Sequence, residues 1–226
     1  MTGKHLIVAI DGPAGAGKST LAARLASRFG LLNLETGAMY RAFALAALEK
    51  GIPVDQSAEL ERLTGSTTIR LQSGAGGNRV FLDGRDVTER IRQKDVTEAA
   101  SRVSVHPAVR HWMVAMQRKL GEMGGVVMEG RDIGTEVFPG ADVKIFLDAS
   151  PEARGERRYQ QLGPSGETQQ AAVLREIQQR DERDRTRVQS PLRPAADAVV
   201  IDSTNLPLDE VVALAEALIT ERLAAR

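Results

Sequence analysis

Gly12, Pro13, Ala14, Gly15, Ala16, Gly17, Lys18 and Ser19 follow the pattern G-x-x-x-x-G-K-[ST]. Residue types at this spacing suit phosphate chemistry. Gly12, Gly15 and Gly17 let the chain turn tightly and leave backbone N–H groups free to point at phosphate oxygens. Lys18 can reach the outer phosphates, and the Ser19 hydroxyl can hold Mg²⁺. Thr20 continues the segment into a helical pattern, whose N-terminus adds the positive end of its dipole. A glycine-rich turn that matches by accident is the competing account. The apolar run at 6–10 and the helical pattern at 20–29 argue against it, because together they supply the strand–loop–helix setting that the cradle needs. The motif implies a bound nucleoside triphosphate.

Three further segments carry groups that could meet a phosphorylated ligand. Thr36, Gly37, Tyr40 and Arg41 open a helix with a hydroxyl, an aromatic ring and a guanidinium; a capping Thr36 beside a packed Tyr40 and a solvated Arg41 would look the same. Glu129, Gly130, Arg131, Asp132, Ile133 and Gly134 follow an apolar run. Arg131 can fork onto phosphate and Asp132 can accept from a ribose hydroxyl or an exocyclic amine. A tight turn with a local Arg–Asp pair is the alternative there. Arg180, Asp184 and Arg187 fall at i, i+4 and i+7, so they share one helix face. That face could clamp a phosphate and a sugar hydroxyl, or it could be an exposed charge-laced surface. Arg110 is a lone helical arginine and reads as surface. His5, His106 and His111 lack metal-like spacing, and Trp112, Val109 and Met116 read as core.

These groups need a frame. Short apolar strands are expected at 5–10, 31–34, 126–128, 143–147 and 199–201. Helices are expected at 20–29, 38–48, 107–123, 169–187 and 207–223. A helix starting at Pro151 follows the Ser150 N-cap, and a break is expected at 163–166. Strands alternating with helices predict a parallel sheet covered on both faces, with ligands gathered at the carboxyl ends of the strands. Between them, strands at 67–71 and 79–82, with turn signals at 74–78 and at Asp83 and Gly84, predict a small antiparallel insert. Ser57 is expected to cap a short helix to residue 63, and helical pattern resumes at 95–105.

The 226 residues suffice for one α/β domain with a sizeable core. Formal net charge is zero, which does not suggest a nucleic-acid or membrane-surface partner. Cysteine is absent, which excludes disulfides and thiolate metal sites and fits a reducing compartment. The N-terminal residues enter a strand without a signal-like apolar segment, and the apolar runs are too short to span a bilayer. A soluble, cytoplasmic monomer is expected. Only 6 of the 30 basic residues are Lys, so phosphate-matching guanidinium groups are plentiful, although a GC-rich genome would also favour Arg.

Taken together, residues 12–20, 36–41 and 129–135, the strand that continues through Ser150, and residues 180–187 with the following Ser190, Pro191 and Leu192 resemble the bacterial cytidylate kinase family. The resemblance spans essentially the whole chain. It implies an adenylate-kinase-like fold: a five-stranded parallel core (1–62, 103–152 and 189–226), a nucleoside-monophosphate-binding insert (63–102) and an arginine-rich lid (153–188). It implies transfer of phosphate from ATP, with Mg²⁺, to CMP and dCMP. On the donor side it points to residues 12–20, Arg154 and Arg158. On the acceptor side, Arg41, Arg131 and Arg187 are expected at the phosphate, and Thr36, Ser101, Arg110 and Asp132 around the cytosine. Arg180 and Asp184 are expected at the sugar, with Tyr40 in the same site. Lys18, Arg131, Asp132 and Arg187 carry the catalytic expectation. Many members of the family have Ser at the position of Thr36, and Asp also occurs at that of Glu129. Cytosine suits this set, because Asp132 can accept from its amine and Arg110 can donate to its ring acceptors.

Three other readings stay open at this point. A regulatory GTPase needs an Asn-Lys-x-Asp guanine reader, yet none of Asn33, Asn78 and Asn205 precedes a Lys. A kinase of a small metabolite such as shikimate or gluconate would usually be shorter and lack the insert. A nucleotide-binding module without catalysis would leave the second set of arginines without a task.

Overall fold

A computed structural model describes residues 5–74, 77–162 and 170–225. The break expected at 163–166 lies outside the described residues, as do positions 75 and 76 of the hairpin turn. In chain order the elements are β1 (Ile7–Asp11), α1 (Lys18–Phe29), β2 (Leu32–Glu35), α2 (Thr36–Glu49), α3 (Ser57–Thr64), β3 (Ile69–Gly74), β4 (Gly77–Leu82) and β5 (Arg85–Asp86). They continue with α4 (Lys94–Val103), α5 (Pro107–Gly121), β6 (Val126–Gly130), β7 (Val143–Asp148), α6 (Pro151–Leu162), α7 (Gln170–Thr186), β8 (Val199–Asp202) and α8 (Leu208–Ala224).

The main sheet has five strands in the order β2-β6-β1-β7-β8, all parallel. Its central strands are apolar on both faces because both faces are covered. Val8 and Ile10 point into one layer with Leu21, Leu25, Ala215 and Ile219 of α1 and α8. Ala9 and Met128 point the other way, toward Val114 of α5 and Ile133. The expected doubly covered parallel sheet is what forms. The strand order puts β1 between β6 and β7, so the loops after β1 and β6 open side by side at the carboxyl edge.

The insert is a three-stranded antiparallel sheet, β3-β4-β5. Asp83 and Gly84 both have positive φ, 49° and 83°, the geometry that matches hairpin twist. Its core is shared: Ile69, Val80 and Leu82 pack with Phe43 and Leu45 of α2 and Val109 and Met113 of α5. Trp112 lies against Phe43 with ring centroids 5.3 Å apart, in keeping with a packing role.

Some local expectations are corrected. Ser57 is the first residue of α3 and does not cap it; its hydroxyl meets His106 Nδ1 at 2.7 Å. Strand β3 starts at Ile69, because Thr67 donates its hydroxyl to the Leu63 carbonyl (2.8 Å) and stays with α3. Ser150 does cap α6, accepting from the Ala153 amide at 3.2 Å, with Pro151 as the first helical residue. Residues 133–137 form a short π-type turn that periodicity did not anticipate.

Candidate active site

The loop after β1 is shaped by close approach. A Cβ on Gly12, at φ +148°, would stand 2.0 Å from the Leu147 carbonyl oxygen, so only glycine lets the chain cross β7 there. Beyond it, α1 begins at Lys18 with Gly17 as its N-cap, no side-chain cap and no acidic residue in its first turn. Its first N–H groups therefore remain open to an anion. Lys18 is buried and donates to the Pro13 carbonyl at 2.6 Å. Burial, reinforced by Arg131, holds its ammonium well below the usual lysine range. A nearby phosphate would restore the charge.

The loop opens into a cavity of about 1070 Å³. Residues 14–20 form one wall; Gly12 and Pro13 lie behind it. The other wall carries Thr36, Tyr40, Arg41, Ser101, Arg110, Arg131, Asp132, Arg180, Asp184 and Arg187. All ten expected acceptor-side residues thus meet in one space, although they come from α2, α4, α5, the loop after β6 and the region of α7. Arg158 also lines it.

A lattice of buried ion pairs organises this wall. Arg110, only 1 % exposed, donates to Asp132 Oδ2 and to the Ser104 carbonyl (3.2 Å), so its reading as a surface residue is corrected. Arg131 Nε donates to Asp184 Oδ2 at 2.8 Å. Arg187 stands 3.8 Å from both Asp132 and Asp184. Burial alone would raise the Asp184 carboxyl, but Arg131, Arg180 and Arg187 together hold it below its ordinary value. Burial brings Arg180 down to about 10, with Arg131 adding to the effect, and pushes the Tyr40 hydroxyl up to about 12. The face of α7 that bears these charges is an inner wall, which settles that helix against the exposed-surface alternative.

The guanidinium groups outnumber their partners. Arg41 Nε, Arg110 Nε, Arg180 Nε and Arg187 Nη2 are buried without a hydrogen-bond partner. Buried donors of this kind normally find an acceptor. All four residues line the cavity, and a lining rich in guanidinium groups suits an anion. Arg41 meanwhile pairs with Glu35 at 2.5 Å.

Arg154 departs from expectation. Its guanidinium is spent on the Ala149 carbonyl (2.8 Å), the Ala14 carbonyl (3.0 Å) and Asp181 (2.5 Å). It lines a separate cavity of about 490 Å³ instead of the main cleft. In this structure it is a strut between the phosphate loop and α7, not a group facing the cleft.

Sequence reasoning missed Asp11 and Glu35. Asp11 is buried and accepts from the amides of Ile133 and Gly134, both at 2.7 Å. Burial pushes its carboxyl up to about 7, against the lowering effect of those two amides and of Lys18; Asp132 adds to the rise. A charged residue inside an apolar strand was the available signal. Oxygen donors suited to a hard cation stand at the loop: Ser19 Oγ donates to Glu129 Oε1 at 2.9 Å. No cluster of three His, Cys, Asp or Glu that could hold a metal occurs among the described residues. A hydroxyl and one carboxylate still fit Mg²⁺, which keeps waters and substrate phosphates as its other ligands. Burial raises the Glu129 carboxyl above its ordinary value, while Lys18 and the Ser19 bond oppose the rise.

A parallel five-stranded core, a glycine cradle after its first strand and a guanidinium-lined wall opposite define a P-loop nucleotide kinase. Comparison with known proteins agrees. A family model described as cytidylate kinase matches residues 8–221. A cytidylate kinase of Pelotomaculum thermopropionicum is 52 % identical over 207 residues, covering 91 % of this chain and 92 % of the relative. One from Enterococcus faecalis is 50 % identical over 216 residues, covering 95 % and 96 %. The chain belongs to the cytidylate kinase family. A solved structure of an uncharacterized protein from Eubacterium ventriosum shares the fold at a TM-score of 0.50 and 13 % identity, covering 98 % of this chain and 100 % of that one.

Proposed function

We propose that this chain transfers the γ-phosphoryl group of ATP to a phosphate oxygen of CMP and dCMP, giving CDP and dCDP. The supporting observation is that Arg41, Arg131 and Arg187 line the same cavity as the phosphate loop, beside the buried Arg110–Asp132 pair. The first set suits the acceptor phosphate and the pair suits cytosine.

A nucleoside monophosphate is largely a dianion near neutral pH, so its oxygen needs little help to lose a proton. Direct in-line attack forms the new O–P bond as the bond to the ADP oxygen breaks. The protein's task is positioning and charge neutralisation. Lys18 and the loop amides face the donor phosphates, and Arg131 and Arg187 face the acceptor. Arg180 and Asp184 hold the sugar. Arg41 joins Arg131 and Arg187 at the acceptor phosphate, and Thr36, Ser101, Arg110 and Asp132 read the base, with Tyr40 in the same wall. Mg²⁺ would be held at Ser19, with Glu129 in its outer shell, and would screen charge on the donor phosphates. Residues 63–102 act as the acceptor-binding insert and 153–188 as a lid whose closure excludes water. Arg158 is the lid arginine with access to the donor side. The chain works as a cytoplasmic monomer, with no nucleic-acid or membrane partner; no described helix is long and apolar enough to cross a membrane.

A coupled assay of ADP formation with CMP, dCMP, UMP, AMP and shikimate tests this reading. CMP and dCMP should turn over fastest. Uracil reverses part of the donor–acceptor pattern and leaves buried groups unpaired, at about 1–3 kcal/mol each. Preference for AMP or shikimate would overturn it.

A further inference from the structure

We propose that Asp11 is a positioning residue for the acceptor nucleotide: its carboxylate caps the turn after Asp132 and so frees Asp132 to face Arg110. The inference rests on the acceptor site described above and deepens it.

An Asp just before a helical turn ordinarily accepts from the amides that begin the turn. Asp132 stands at that place before residues 133–137, with φ −151° and ψ 26°, but makes no side-chain cap bond. Its carboxylate is committed to Arg110, with Arg187 at 3.8 Å. The orphaned amides are served from the end of β1. Ile133 donates to Asp11 Oδ1 and Gly134 to Asp11 Oδ2, one bond to each oxygen, from 122 and 123 residues away in sequence.

The neighbourhood is built for this approach. A Cβ on Gly134 would lie 3.4 Å from Asp11 Oδ2 and 3.2 Å from Lys144 Cδ, so the carboxylate packs in direct contact with this turn. The nearby ammonium groups are turned elsewhere: Lys18 donates to Pro13, and Lys144 to Asp197 at 2.8 Å. Asp11 therefore spends its charge on two backbone amides. Only a carboxylate fills both places, because an amide side chain would present its own N–H to one of the two donors. Since Asp11 directly precedes the phosphate loop, this bridge also sets the distance between donor and acceptor walls.

The experiment compares wild type, Asp11→Asn, Asp132→Asn and the double variant as full chains. It reads CMP and ADP affinity by calorimetric titration, and kcat and KM for CMP and UMP. Wild-type turnover of CMP comes first; without it the functional reading fails, and this proposal with it. Given that turnover, Asp11→Asn should weaken CMP binding roughly tenfold or more. It should leave ADP affinity within about twofold, and narrow the preference for CMP over UMP. The double variant should lose little beyond Asp132→Asn, since both changes disable one group. Unchanged CMP affinity in Asp11→Asn would overturn the proposal, as would equal losses for CMP and ADP or fully additive losses in the double variant. Should Asp11→Asn not fold, Asp11→Glu, which keeps the charge but displaces it by one methylene from the two amides, must reproduce the selective loss of CMP binding. Normal CMP binding in that protein would equally sink the idea.

Discussion

The two ends of the cavity are built on different principles. The donor end is one continuous stretch, residues 12–20, and its working groups are backbone amides, one ammonium and one hydroxyl. The acceptor end draws side chains from five parts of the chain and ties them into a lattice of buried charges. A cradle made of main chain needs glycines at close contacts and tolerates variety elsewhere. A wall made of paired charges must be assembled whole, because removing one partner leaves the other buried and unpaired. On the function proposed, the difference lets one site treat its two ligands differently: the donor would be gripped by its phosphates, the acceptor by its base, sugar and phosphate together.

The largest expected effect breaks the donor end alone. Lys18→Ala should cut kcat on the order of 10³-fold or more while the thermal midpoint stays near wild type. Near-normal turnover in steady-state assays would remove Lys18 from the mechanism. Arg154→Ala tests whether the two ends are mechanically joined. It breaks a buried pair with Asp181 and a bond to the Ala14 carbonyl, and denaturant unfolding should show a loss of about 3–5 kcal/mol. If its role is instead to touch ATP, ADP affinity would fall with stability unchanged. Asp132→Ala breaks the acceptor end alone: CMP affinity should drop roughly 10–100-fold, with ADP affinity held, in parallel titrations. Equal losses would deny it a base-reading role.

A pH-dependent effect sharpens the comparison at the joint between the ends. Asp11 titrates near 7 in the folded chain, against 3.8 ordinarily. Between those values the folded state holds the extra proton, so stability falls as pH rises from about 4 to about 7, then levels off. Wild type should lose stability relative to Asp11→Asn across that window, as read from urea midpoints at pH 5, 6, 7 and 8. A difference that stays constant with pH would mean that Asp11 is ionised throughout. Burying this charge costs the fold stability, which fits a residue kept for positioning.

Much of the frame was legible. Strands β1, β6 and β7 announce themselves as short apolar runs, and Pro107 and Pro151 mark helix starts because a missing N–H costs nothing there. The donor loop could be read whole, since its phosphate-facing groups are consecutive in sequence, although the close approach of Gly12 to Leu147 is tertiary. The acceptor residues were reached only as separate suspects, each with a plain structural alternative. Arg110 read as surface because a lone helical arginine normally needs solvent; the buried partner that keeps it inside, Asp132, lies 22 positions on. Arg154 was expected at the donor phosphates only through the family resemblance. Two of its three partners, the Ala14 carbonyl and Asp181, lie 140 and 27 positions away, and local sequence is silent about them.

What residues near one another in the chain must do, the amino-acid order settled alone: alternating strands and helices, the phosphate cradle, and the helix face shared by Arg180, Asp184 and Arg187. Local sterics and periodicity act over a few positions, so they are written locally. Which charge meets which was left to the tertiary structure. The β2-β6-β1-β7-β8 order brings Asp11 to Ile133 and Asp132 to Arg110, and packing of α7 over them turns a charged helix into the wall of a site. Coulomb energies inside a protein depend on distance and burial, and neither exists until the sheet has formed.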